Sequence, residues 1–168
     1  MKLVLFALCL TTSAFAQQPA DPAATSCGPA NVSLHVHLDR HPPAPAPPLS
    51  GKALVYFIQQ SGAPVNLTYP ATRVALDGAW AGAIHADSYF SASVLPGDHH
   101  VCAVLHSFAI GTLTELAHFH ADPGNTYYFR TRLFGTQGFV YLELQTVDRD
   151  EALHLMATDP LSITTPHP

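Results

Sequence analysis

Short segments in which apolar and polar residues alternate, or in which apolar residues run together, occupy most of the chain. Val32 to Leu38 alternates strictly, with leucine and valine on one side and two histidines on the other, which is typical of a half-buried β-strand. Ala53 to Ile58 is apolar throughout, which predicts a strand buried on both faces. Further strands are expected at 72–76, 79–84, 88–95, 99–106, 113–121, 126–134 and 139–147.

The breaks between these segments carry strong turn signals. Asp77-Gly78 is a dipeptide that favours a tight hairpin. Pro96-Gly97 and the tetrapeptide at 122–125 supply glycine where a turn needs a positive φ. About eight or nine short strands, with a turn signal roughly every 8–12 residues, predict an all-β sandwich or barrel.

One short helix is expected after the last of these strands. Asp148 can cap it, and Glu151 follows at the spacing of a capping box. Asp159-Pro160 should end the helix, because proline cannot continue it. We expect residues 159–168 to form a loose tail, so that the globular domain covers residues 27–158.

A proline-rich run at residues 42–48 cannot take part in a strand ladder, because proline has no backbone N–H to donate. As a polyproline II segment, with about 3.1 Å per residue, it would span roughly 20 Å. The run could link two domains, but only one strand is expected before it. We therefore interpret it as a stiff crossover between strands of one domain.

The N-terminus has the pattern of a secretory leader. Lys2 precedes the apolar run 3–10, and Ala14-Phe15-Ala16 supplies the small residues that a leader peptidase accepts. We expect a cleaved signal peptide at 1–16, a disordered lead-in at 17–26, and a periplasmic or secreted location. An apolar first strand is the alternative for the run 3–10. Lipid attachment at Cys9 is not expected, because Leu8 stands where a small residue is needed.

Charge narrows the range of partners. Loss of Lys2 with the leader would change the formal net charge from −5 to −6. This mild acidity argues against nucleic acid, which needs lysine and arginine clustered on one face. After cleavage no apolar stretch remains long enough to span a membrane, which takes about 20 residues.

The cysteines also depend on the leader. The full chain contains three, and Cys9 would leave with the signal peptide. An even number in an exported chain predicts a disulfide bond between Cys27 and Cys102. Two free thiols are the alternative.

Histidine is the unusual feature of the composition, with eleven in the chain. His118 and His120 lie two residues apart on one predicted strand, so their side chains share a face. If this strand forms a hairpin with the preceding one, turning near 109–110, His120 stands opposite His99 or His100. Imidazoles grouped in this way are a candidate site for Zn²⁺ or Cu²⁺. The alternative is that these histidines form a solvated polar face without a metal. The grouping depends on the register, and a slip of one residue separates the histidines.

Other chemistry has less support in the sequence. Glu115 and Asp122 are the local carboxylates that could orient the histidines. We find no nucleophile elbow, no zinc-protease motif and no phosphate-binding glycine loop. We therefore do not expect an enzyme, and no cofactor is expected apart from the candidate Zn²⁺ or Cu²⁺.

Several motifs in their order along the chain resemble a bacterial family of small exported or lipoprotein domains catalogued as a domain of unknown function. The resemblance covers about Cys27 to Met156 and is carried by GKALVYF at 51–57, LDG at 76–78, SYF at 88–90, PGDHH at 96–100 and YYFR at 127–130. It implies a transthyretin-like or immunoglobulin-like β-sandwich on the cell envelope, and it implies no activity.

The sequence therefore favours an exported, non-catalytic envelope domain that binds a protein, a glycan or a small ligand. The alternative is a histidine-based protein that binds Zn²⁺ or Cu²⁺. A hydrolase without a recognisable motif is the third hypothesis.

Overall fold

The computed structural model describes residues 27–61, 71–85, 87–136 and 139–167. The expected signal peptide at 1–16 and lead-in at 17–26 lie outside these residues. The described chain forms ten strands and one helix. Their bounds are β1 Ser33–Asp39, β2 Ala53–Ser61, β3 Thr72–Leu76, β4 Ala79–Ile84, β5 Ser88–Val94, β6 Gly97–Ser107, β7 Gly111–Ala121, β8 Thr126–Thr136, β9 Phe139–Thr146, α1 Arg149–Met156 and β10 Leu161–His167.

The strands make two sheets that pack face to face. Six strands form one sheet in the order β1-β10-β5-β2-β8-β9, and four form the other in the order β4-β3-β6-β7. This arrangement confirms the predicted β-sandwich with a short C-terminal helix, although the described residues hold ten strands rather than the expected eight or nine. The one described helix, α1, is too short to cross a membrane.

Aromatic side chains fill the space between the sheets. Phe57 on β2 stacks on Phe90 of β5 at 5.1 Å and on Phe129 of β8 at 5.7 Å, measured between ring centroids. Val74 and Val101 of the four-stranded sheet complete the same cluster. Each such side chain contributes about 1.5–3 kcal/mol when fully buried. The alternation of residues on β2 therefore supplies the centre of the core.

The other face of β2 is also buried. Leu54, Tyr56 and Ile58 pack against Ala152 and Met156 of α1. The sequence expectation of a strand buried on both faces is thus confirmed, and the helix is the second covering layer.

The start of α1 agrees with the predicted cap. The Asp148 side chain accepts a hydrogen bond from the backbone N–H of Glu151 at 2.8 Å. The Glu151 carboxylate in turn forms an ion pair with Arg130 on β8. The cap and the ion pair together fix the helix on the sheet.

The expectation of a loose tail at 159–168 is wrong for Leu161–His167. These residues form β10, which pairs antiparallel with β1 and meets β5 in parallel at Tyr89. Ser162 is buried, with its hydroxyl 2.7 Å from that of Ser88, whereas Ile163 is 43% exposed. The strand therefore lacks the apolar periodicity by which a strand is recognised in a sequence. The domain extends to residue 167 rather than ending at 158.

The proline-rich run connects two strands of the same sheet. β1 and β2 both belong to the six-stranded sheet, with β10 and β5 between them. The interpretation of residues 42–48 as a crossover within one domain is therefore confirmed.

Cys27 and Cys102 lie at disulfide-bonding distance, with 5.2 Å between their Cα atoms. Cys102 is on β6, and its side chain lies on the outer face of the four-stranded sheet with Ala75, Val104 and Trp80. The bond would attach the chain ahead of β1 to that face.

Loss of the bond in the variant Cys27→Ser, at the less buried of the two cysteines, should lower the free energy of unfolding by up to about 4.5 kcal/mol, the loop-entropy value for a closed loop of this length. Urea unfolding of oxidised wild type and variant measures the difference. Mass spectrometry after alkylation without reductant is the control, and two alkylated thiols in the wild type would contradict the bond.

The buried Gln59 side chain leads to a second prediction, because neither polar atom of its amide has a hydrogen-bond partner among the residues that the structure describes. Replacing an unsatisfied buried amide by an apolar side chain of similar volume removes the desolvation cost, so Gln59→Met should raise the free energy of unfolding by about 1–2 kcal/mol. Ser162→Ala is the matched control. It removes a buried polar group that does have a partner, and it should lower the same free energy by about 1 kcal/mol. A less stable Gln59→Met variant would show that the amide is satisfied.

Candidate functional site

The β6–β7 hairpin decides where the predicted histidines lie. Ser107 pairs with Gly111, so the loop contains residues 108–110, and Gly111 adopts a φ of 80°. His120 consequently pairs with Asp98, and His118 pairs with His100. The expected pairing of His120 with His99 or His100 is wrong, because this loop centres on Ala109 rather than turning between 109 and 110.

The register divides the four candidate ligands between two faces. His100, His118 and His120 are exposed on the outer face of the four-stranded sheet, whereas the His99 side chain is only 11% exposed and packs against Phe119. In the side-chain conformations of the described ranges, no three histidine, cysteine or carboxylate groups stand close enough to hold a metal ion. The structure thus brings three of the four predicted residues to one face and separates His99 from them.

His99 belongs to a different constellation, which is built on the turn between β3 and β4. Asp77 occupies this turn with a φ of 50°. One of its carboxylate oxygens accepts a hydrogen bond from the His100 backbone N–H at 2.8 Å, and the other lies 2.6 Å from His99 Nδ1. His99 Nε2 lies 2.7 Å from the backbone carbonyl oxygen of Leu95. Both ring nitrogens therefore face acceptors, and the ring satisfies both only when it is protonated.

The pKa shifts of this pair agree with the geometry. Burial lowers the pKa of His99, but the hydrogen bonds to Asp77 and to the Leu95 carbonyl outweigh it, and the pKa is raised. Burial raises the pKa of Asp77, but the His100 N–H and the His99 ring outweigh it, and the pKa is lowered. Asp77 and His99 therefore favour each other's charged form at mildly acidic pH.

A second ion pair lies on the outer face of the sheet. His120 Nδ1 is 2.7 Å from an Asp98 carboxylate oxygen. The hydrogen bond raises the pKa of His120 and lowers that of Asp98, although both side chains are open to solvent. Of the carboxylates expected from the sequence, Asp122 is 4.0 Å from His120 Nε2, and Glu115 lies opposite Ala103, farther along the hairpin.

Sequence reasoning missed a groove where the edges of the two sheets meet. It has a volume of about 480 Å³, lies between β4 on one side and β1 and β10 on the other, and has a mainly apolar lining. We call it the Trp80 groove. Its lining residues besides Trp80 are Pro29, Val32, Leu34, Gly78, Ala79, Ala81, Gly82, Thr164 and Pro166.

The Trp80 indole is held in place from three directions. Its Nε1 donates a hydrogen bond to the Pro29 carbonyl at 2.8 Å, and the Arg73 guanidinium lies 4.6 Å from its ring centroid. A Cβ on Gly28 would come within 2.6 Å of the ring, so only glycine fits there. Trp80 thus lines the groove in a fixed orientation.

The hydroxyl of Thr164 joins the two sheet edges beside the groove. It accepts a hydrogen bond from the Ala83 N–H at 2.9 Å and lies 3.3 Å from the Ala83 carbonyl oxygen. The polar atoms of β4 at this point are therefore occupied within the protein.

A second groove, of about 410 Å³, lies between the start of the proline-rich crossover and the C-terminal end of α1. Arg40, His41, Tyr89 and Asp159 give it a more polar lining. Burial raises the pKa of Asp159, and the nearby Asp87 adds to the effect.

The charge of Asp77 should be visible in the pH dependence of stability. A raised histidine pKa contributes stability below the ordinary value of 6.5 that is lost as the pH rises, and a lowered aspartate pKa contributes above 3.8. Asp77→Asn should therefore lower the free energy of unfolding by about 1 kcal/mol near pH 5.5, a modest value because half-exposed charges are partly screened. The loss should be smaller near pH 8.5.

Urea unfolding at both pH values measures this difference. Asn tolerates the positive φ of position 77, so the substitution tests the charge rather than the turn. Asp98→Asn removes the carboxylate of the exposed pair with His120 and is the matched control, which should show little change at either pH. An equal loss at both pH values for Asp77→Asn would contradict the ion pair with His99.

Comparison with protein-family models, with curated proteins and with solved structures gave no match. The resemblance to the envelope domain family stays a prediction from the motifs.

Proposed function

We propose that this chain is an exported, non-catalytic binding domain that holds a small apolar ligand in the Trp80 groove. The observation that carries the proposal is an apolar depression of about 480 Å³ that the half-buried Trp80 lines, with its indole held in one orientation. Sites for small molecules commonly have volumes of about 300–1,000 Å³ and a mainly apolar lining.

The chemistry of the lining favours an apolar ligand over a glycan. Recognition of a sugar needs free hydrogen-bond donors and acceptors beside the aromatic ring, because each buried hydroxyl must be satisfied. Here the indole N–H bonds to Pro29 and the Thr164 hydroxyl bonds to Ala83. No charged residue lines the groove among the described residues. A flat aromatic ring or an acyl chain fits this lining better than a sugar does.

Export is part of the proposal and has two supports. The leader pattern at 1–16 is the first. The second is that Cys27 and Cys102 lie at bonding distance, since disulfide bonds form and persist in oxidising compartments.

Trp80 is the chain's one tryptophan, so its fluorescence reports directly on the groove. Titration with N-phenyl-1-naphthylamine, an uncharged aromatic probe, should change the Trp80 emission in the full chain. Ala79→Arg places a charge at an exposed position of the lining, and it should weaken the probe's affinity by about tenfold or more.

Leu116→Arg is the matched control, because it introduces the same charge on another exposed part of the four-stranded sheet. It should leave the affinity for the probe unchanged. Equal weakening by both variants, or no binding of the probe to the wild type, would overturn the proposal. A shift of the Trp80 emission by oligosaccharides that compete with the probe would also overturn it, in favour of a glycan.

A further inference from the structure

The outer face of β6 and β7 carries a separate group of residues, which we call the histidine face: Asp98, His100, His118 and His120. All four side chains are exposed on the same side of the four-stranded sheet. Two neighbouring cross-strand pairs contain them, Asp98 with His120 and His100 with His118. The Trp80 groove lies at the opposite edge of this sheet, so the two surfaces share no residue.

Backbone hydrogen bonds show how close these pairs are. The His100 N–H donates to the Asp77 carboxylate at 2.8 Å, and the His100 carbonyl accepts from the Asp77 N–H at 3.0 Å. Both groups therefore point toward β3 and away from β7. The pair His100–His118 is consequently of the non-hydrogen-bonded type, which brings the Cα atoms to about 4.5 Å and the Cβ atoms to about 4.5–5.5 Å.

The same alternation applies two residues away. Asp98 points its backbone groups in the same direction as His100, so Asp98–His120 is also a close pair. Its side chains are in contact, with 2.7 Å between His120 Nδ1 and the carboxylate. The four residues therefore occupy the corners of one small quadrilateral on the surface.

The contact between Asp98 and His120 is the arrangement that usually accompanies a metal-binding histidine. A carboxylate that accepts the proton of one ring nitrogen fixes the tautomer and leaves the other nitrogen for the metal. Here Nδ1 is bonded to Asp98, and Nε2 is 4.0 Å from the nearest carboxylate oxygen, that of Asp122. His120 is thus already oriented as a ligand.

The His100 and His118 rings are exposed, and the structure gives their nitrogens no hydrogen bond within the residues described. Exposed side chains change rotamer on a timescale of about picoseconds to nanoseconds, so turning both rings toward His120 has a low barrier. His99, by contrast, has both ring nitrogens occupied by Asp77 and Leu95, and it is not part of the group.

We propose that His100, His118 and His120 bind one divalent transition-metal ion of the Zn²⁺ or Cu²⁺ class, with Asp98 orienting His120. Three imidazole nitrogens with an open fourth position suit both ions. Rotation of the exposed rings brings the nitrogens together, and the closely paired backbone limits how far apart they can be. The acidic net charge of −5 further favours a cation.

The test is titration of the full chain, purified without a polyhistidine tag, with Zn²⁺ and with Cu²⁺ by isothermal calorimetry. We expect one site with a dissociation constant of about 100 µM or tighter for at least one of the ions. Cu²⁺ should also quench the emission of Trp80, because β4 and β6 are separated by β3 alone and are about 10 Å apart.

The variants separate this site from general binding by surface histidines. His100→Asn and His118→Asn should each weaken the affinity by about tenfold or more, and Asp98→Asn should weaken it by about 10–100-fold. His106→Asn is the matched control, since His106 is exposed on the same face of β6 but stands opposite Thr112. Binding weaker than the stated limit for both ions, or an equal loss in His106→Asn, would overturn the proposal. Circular dichroism shows whether each variant is folded.

Discussion

Both faces of β2 are removed from water. Phe57 points toward the four-stranded sheet, while Tyr56 and Ile58 point toward α1. A strand of this kind needs a layer on each side, and neither layer can be lost without exposing several large apolar side chains. The capping of the helix by Asp148 and its ion pair with Arg130 secure the outer layer. On the inner side, Phe57 stacks on Phe90 and Phe129 and packs against Val74 and Val101 of the four-stranded sheet.

Asp77 connects the two surfaces that we associate with function. Its backbone forms the β3–β4 turn that leads directly into the lining of the Trp80 groove. Its carboxylate accepts a hydrogen bond from the His100 N–H and lies beside the His99 ring, and so ties the turn to β6. A single turn residue with a positive φ thus lies next to the Trp80 groove in sequence and contacts the strand that carries His100.

The sequence predicted those elements whose periodicity coincides with burial. Three elements have a clear local sequence pattern and are found in the structure as predicted: β2, the Asp77-Gly78 hairpin and the Asp148 cap. β10 does not, because polar Ser162 is buried and apolar Ile163 is exposed. The register predicted for β6 and β7 was wrong, because the sequence at 108–110 contains no turn dipeptide that fixes the length of the loop. The Trp80 groove depends on three separate segments, so no local pattern could have indicated it. Only the shared face of His118 and His120 was accessible from spacing alone.

The pairing of β1 with β10 has a consequence for the order of folding. Ser33 pairs with His167 in the register of β1 and β10, so this edge of the six-stranded sheet cannot close until residue 167 has been synthesised. Contacts so distant in sequence are slow to form, because the chain loses the entropy of loop closure before strand pairing stabilises it. Cys27 and Cys102 lie at bonding distance, so a disulfide bond between them would join the chain just ahead of β1 to β6, and both cysteines are made before β10. Once formed, that link keeps β1 at a high local concentration beside the sandwich, so that the arriving β10 finds its partner strand already in place.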